Sequence, residues 1–240
     1  LREWARGLGV ETYVGSSDRV FPLDRKAAPL LRGWVRRLKD QGVRFHVQHR
    51  WLGWDDDGTT LRFDTPDGER RVRPAAAVLA LGGGSWPQLG SDGAWVPLLA
   101  GRGLEVAPLL PSNCGFDVDW SPHFAARHAG APLKPVIAHW IGADDREHAL
   151  QGECVATSSG IEGSLVYALS VPLRDAIARD GQATLWLDLV PGRDLTRLRR
   201  ELGRPRNGRS LSEHLRRQAG VDGVKAALLR EVLDAASLAD

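Results

Sequence analysis

Residues 79–95 read LALGGGSWPQLGSDGAW, and the run before them, Ala75–Leu81, is AAAVLAL. Small and apolar residues without alternation predict a strand buried on both faces, the pattern of a sheet covered on both sides. The strand breaks on Gly82, Gly83 and Gly84, followed by Ser85 and by a second small cluster at Gly90, Ser91, Asp92 and Gly93. Glycines at the end of a buried strand let backbone approach a ligand and expose N–H donors to it. The same residues also serve a plain turn. The stretch is neither a G-x-G-x-x-G opening a helix nor a phosphate loop with its lysine.

Working outward, Val43–Val47 alternates as a strand, and two more strands are punctuated by the turns Asp55–Gly58 and Pro66–Gly68, an antiparallel meander. Upstream, the first residues read as a helix stopped by Gly7 and Gly9, then a strand through Tyr13 and Val14. From Lys26 to Gln41 apolar positions recur at three- and four-residue steps, predicting an amphipathic helix closed by Gly42. The loop before it carries Arg19, Phe21 and Pro22. Arg and Phe there suit an anion and a ring, whereas Asp24 as cap and Phe21 as staple would account for them structurally.

Composition shifts around Pro108–Pro111. Beyond it strands are expected at Cys114–Val118, Val136–Trp140, Glu153–Ala156 and Thr184–Leu189, with a helix through Leu165–Ala178. Three short helices follow at Leu195–Leu202, Leu211–Ala219 and Val224–Leu238. The expected domains are therefore 1–110 and 111–240.

The 240 residues carry 32 Lys plus Arg against 30 Asp plus Glu, a net charge of +2, which demands no strong steering of nucleic acid. Arginines do cluster from Arg193 to Arg217, opposed by Asp194, Glu201 and Glu213. A solvated helix face accounts for them, and a non-enzymatic module with a nucleic-acid-contacting tail is the alternative. The two cysteines, Cys114 and Cys154, have no metal-type spacing, and no metal site is expected; a reduced, cytoplasmic protein is. No apolar run approaches the roughly 20 residues of a membrane span. The absence of methionine points to a piece of a longer chain.

Taken together, the segments 15–38, 42–54, 78–95, 112–118, 129–136 and 152–170 resemble, in order and across nearly the whole chain, the BaiN-like or aminoacetone-oxidase-like (YhiN-type) FAD flavoproteins. That resemblance implies an α/β plus α+β protein. Residues 1–110 would be part of a Rossmann-like FAD-binding domain with its meander, and 111–240 an inserted, substrate-side domain with a small β-barrel-like sheet and helices. It implies a flavin-dependent oxidoreductase acting on a small molecule, with NAD(P)H as a candidate reductant and either amine oxidation or reduction of an activated double bond as the chemistry. By position it carries over Arg19, Val20 and Phe21 as the loop nearing the flavin and Trp51 as the strand backbone meeting the adenine. Ala80, Gly82, Gly83, Gly84 and Ser85 become the strand end under the cofactor, and Ser158, Gly160 and Gly163 a substrate-side loop. Leu81 stands where the family pattern has threonine. The pyrophosphate-binding βαβ unit and the flavin-covering segment are expected before Leu1 and after Asp240, so that tight FAD binding is not expected of the 240 residues alone. No catalytic acid or base is assigned.

Overall fold

The computed structural model describes residues 1–15 and 19–233, and these divide into two compact units, Leu1–Val106 and Ala107–Asp240. In the first unit, α1 (Arg2–Arg6) stops at Gly7, and Gly9, with φ +79°, turns the chain toward β1 (Thr12–Val14). β1 pairs antiparallel with β2 (Val20–Pro22); the loop residues 16–18 lie outside the described residues. The amphipathic helix is α2 (Ala27–Asp40), and Gly42 at φ +89° supplies the left-handed turn after it. Its apolar face is only lightly covered: Trp34 meets Trp4 edge-on at 5.6 Å yet remains 45% exposed.

The meander forms from β3 (Arg50–Trp54), β4 (Leu61–Thr65) and β5 (Gly68–Val72), all antiparallel. Its first turn is clasped by Asp57, whose carboxylate accepts from the Thr59 and Thr60 N–H groups and the Thr60 hydroxyl at 2.7–2.9 Å. The strand expected at Val43–Val47 is irregular backbone; regular pairing begins only at Arg50, where β4 supplies a partner. A larger correction concerns Ala75–Leu81. This stretch is neither regular strand nor buried, and Val78 is 92% exposed. Apolar composition cannot make a strand without a ladder, and no strand among the described residues pairs with it. A 3-10 turn at Pro87–Leu89 and the short α3 (Val96–Ala100) complete the unit.

The second unit is built on β6 (Phe116–Asp117), α4 (Pro122–His128), β7 (Pro132–Ile141), β8 (Glu147–Ala156) and β9 (Gly160–Glu162). Then come α5 (Ser164–Ala168), α6 (Ser170–Asp180), β10 (Trp186–Asp188), α7 (Leu195–Leu202), α8 (Leu211–Ala219) and α9 (Gly223–Val232). The strands form one antiparallel sheet in the order β10-β7-β8-β9-β6. Leu133, Val136 and Ala138 of β7 and Cys154 and Ala156 of β8 bury against Phe124, Leu165, Val166 and Leu169. The bulge between Leu133 and Val136 keeps both of those side chains on the core face.

Among the described residues no pairing joins β10 to β6, so the sheet is open rather than barrel-like. Edge strands of two and three residues offer few ladder bonds with which to close one. The single helix expected over Leu165–Ala178 is broken at Leu169. Pro172 has no N–H for the Ala168 carbonyl, so α5 cannot run on into α6. α7 and α8 are capped by Asp194 and Ser210, which accept the Arg197 and Glu213 N–H groups at 2.9 and 3.3 Å. The expected end of the last helix, at Leu238, lies outside the described residues.

Candidate functional site

In the first unit the glycine-rich stretch folds back on itself. Gly82, at φ +73°, turns the chain, and the Gly93 N–H returns to the Gly83 carbonyl at 3.1 Å. Trp86 and Ser91 exchange backbone bonds, both 3.0 Å, around the 3-10 turn, and Gly90 at φ +82° closes it. The Trp95 indole N–H donates to the Gly82 carbonyl at 3.2 Å. Asp92 completes the knot: one carboxylate oxygen accepts the Ala94 N–H at 3.0 Å and the other meets the Arg50 guanidinium at 2.9 Å. The Ala94 N–H, followed by Arg50, holds the Asp92 carboxyl below the usual carboxylate range.

Between this loop and the meander lies a cleft of about 730 Å³. Trp51 and Phe63 form one wall, Leu81 and Trp95 the other, and Gln48 and Arg50 add polar groups. Positions 82 and 83 need no side chain here; a Cβ on either would sit 3.7–3.8 Å from the Ser91 hydroxyl. The Trp51 indole nitrogen is buried and has no hydrogen-bond acceptor, and its ring stands at 82° to Trp54 with centroids 4.8 Å apart. A buried indole N–H usually finds an acceptor, so this one is an unspent donor in the cleft wall.

The cleft thus brings Trp51 together with the end of the 75–81 segment, while Gly82 and Ala80 line an adjoining groove with Trp95. Gly83, Gly84 and Ser85 are exposed outside both. Arg19, Val20 and Phe21 do not line the cleft. Phe21 packs on Tyr13 across β1–β2 at 5.8 Å, and Asp24 accepts the Lys26 N–H at 3.0 Å at the entry to α2. The Arg50–Asp92 contact was not legible from the motifs, because its partners are 42 residues apart and only the fold brings them together.

In the second unit Ser158 is an exposed turn residue and Gly160 a buried strand residue. A Cβ on Gly160 would run into the Phe116 carbonyl and come within 2.8 Å of the Asp117 Cα. Gly163 has φ +110°, and its Cβ would sit 3.1 Å from the Cys154 Cα. Both glycines are thereby accounted for by close packing of strands. Within the arginine-rich tail, Arg193 and Arg197 pair with Glu201, and Arg216 and Arg217 with Glu213. Among the described residues no helix is long and apolar enough to cross a membrane.

A family model described as HI0933-like protein Rossmann domain matches residues 1–230. The chain is also 25% identical over 187 residues to a 3-dehydro-bile acid delta(4,6)-reductase of Clostridium scindens. That match takes in 75% of this chain and 43% of the relative, so the chain spans less than half the length of the curated protein it matches.

Proposed function

The chain belongs to the HI0933-like Rossmann-domain family, and on that footing we propose that it forms part of an FAD-dependent oxidoreductase acting on a small molecule. The observation that carries the reading is the cleft of the first unit, where the aromatic surfaces of Trp51, Phe63 and Trp95 stand beside Gly90 and the Leu81 end of the glycine-rich stretch. These residues fit the nucleotide part of such a cofactor. Trp51 and Phe63 offer flat apolar surface to a base, and the Gly90 backbone, with Gly82 in the adjoining groove, leaves room for close approach. Bound there, FAD would accept and deliver a hydride; the protein's part is to bind, orient and shield it.

Residues 1–110 form the cofactor side in this reading and 111–240 an inserted, substrate-side domain, with Ser158, Gly160 and Gly163 near the substrate. Arg19, Val20 and Phe21 approach the flavin from the β1–β2 hairpin, and Gly84 and Ser85 continue the contact made by Ala80, Gly82 and Gly83. The relative's name, a reductase, favours reduction of an activated double bond over amine oxidation, and NAD(P)H is the candidate electron source in this reading. A cytoplasmic location accords with the two free cysteines.

The test is to purify the protein expressed from its complete gene and measure flavin absorbance and FAD uptake by quenching of flavin fluorescence. Saturable, stoichiometric binding is expected. Protein that is folded by circular dichroism yet neither carries nor takes up FAD overturns the reading.

A further inference from the structure

The walls of the first unit's cleft come from segments distant in sequence, β3–β4 on one side and residues 81–95 on the other. Among the described residues the polar link across it is the Arg50–Asp92 pair. The Ala94 N–H fixes one oxygen of Asp92 and leaves the other to Arg50. Asp92 is in turn coupled to the glycines, because the neighbouring Gly93 N–H is bonded to Gly83. Arg50 adjoins Trp51 on β3, opposite Asp64 in the ladder. Displacing either partner therefore moves one wall relative to the other.

Both side chains reach solvent, 63% and 33% exposed, and exposed pairs contribute little to global stability. A weak tie between two walls matters instead for their spacing. We propose that Arg50 and Asp92 form a latch that sets the width of the cleft and so positions the glycine-loop wall against a bound nucleotide. The ligand half of this proposal rests on the cofactor reading above; the latch itself does not. Arg50 and Asp92 are positioning residues, acting through Trp51 on one wall and Gly90 and Trp95 on the other.

The experiment uses the protein expressed from its complete gene and compares wild type, Arg50→Glu, Arg50→Ala and Arg50→Lys, all of which leave the Asp92–Ala94 bond in place. Amide hydrogen exchange of residues 82–95 is measured without flavin, together with the dissociation constant for FAD and the melting temperature. Arg50→Glu and Arg50→Ala are expected to speed exchange in 82–95 and to weaken FAD binding about threefold, with the melting temperature unchanged. Arg50→Lys, which keeps the cation, stays close to wild type in both. Unchanged exchange in Arg50→Glu and Arg50→Ala, or exchange as fast in Arg50→Lys as in Arg50→Ala, overturns the latch. Wild-type protein that binds no FAD overturns the cofactor reading alone, and the exchange data still decide the latch.

Discussion

Ser121, the N-cap of α4, is held by Glu231 of α9 from 110 residues away. One Glu231 oxygen accepts the Ser121 N–H and the other its hydroxyl, both at 2.8 Å, while the Ser121 oxygen accepts the Phe124 N–H at 3.1 Å. In a local capping box the reciprocal carboxylate comes from the third helical residue, a position Phe124 occupies here. The distant glutamate takes over that role and ties α4 to α9. Replacing it leaves a partly buried N–H and hydroxyl without acceptors. Glu231→Ala is expected to destabilise the second unit by about 2 kcal/mol and Ser121→Ala by about 1 kcal/mol. Urea unfolding of both single variants and the double checks this; additive losses would contradict the coupling.

Gly160→Ala is the sharpest test of the sheet. The added methyl would collide with the Phe116 carbonyl, and backbone cannot yield as a flexible side chain can. The β6–β9 pairing should open, at a cost of about 3 kcal/mol. Gly152→Ala would place its methyl 3.1 Å from the Leu165 Cβ, an overlap that a small shift of α5 relieves rather than a collision, and should cost less. Thermal unfolding of the two variants ranks them; equal losses would show that β6 is not held as described.

How much of this was legible in the sequence depends on whether the governing contact is local. The turns around Asp57 and Gly68 and the amphipathic α2 act within a few residues, and reading along the chain suffices for them. The single helix expected over Leu165–Ala178 is two, because Pro172 interrupts it, a break that also lies in the local sequence. Ala75–Leu81 went the other way, since an apolar composition says a stretch could be buried and not what would cover it. The cleft shows the same limit: its glycines and Trp51 were in view, whereas the ion pair joining its walls arises only when β3 is brought beside residue 92.

The meander should respond to acid through Glu69. Arg62 donates two hydrogen bonds to its carboxylate, at 2.9 and 2.8 Å, and with Arg71 nearby its pKa falls from the ordinary 4.5 to about 2. A depressed carboxyl pKa means that the unfolded chain binds the proton more readily. The pair therefore stabilises the fold above pH 4.5, and its contribution is lost as pH falls toward 2. Carboxyl NMR should place the Glu69 midpoint near 2. Glu69→Gln should remove this part of the pH dependence while leaving stability at strongly acidic pH unaltered.

Cys154 should be inert for the opposite reason. It is 1% exposed within the core of the second unit, and burial pushes its thiol from 9.0 up to about 11. The thiolate is the nucleophile, so between pH 7 and 9 the folded protein presents neither access nor the reactive form at this position. The raised pKa means that the folded state holds the proton more tightly than the unfolded chain. The resulting stabilisation is full below pH 9 and is lost as pH rises through 11. Cys114 is only partly buried, with its backbone N–H bonded to the Ser170 hydroxyl at 3.0 Å. Iodoacetamide at pH 8 should therefore modify Cys154 no faster than the second unit unfolds, as mass spectrometry of the wild type and of Cys114→Ser will show. Labelling of Cys154 at a rate proportional to reagent concentration and independent of added urea would mean that β8 is open to solvent in the native state.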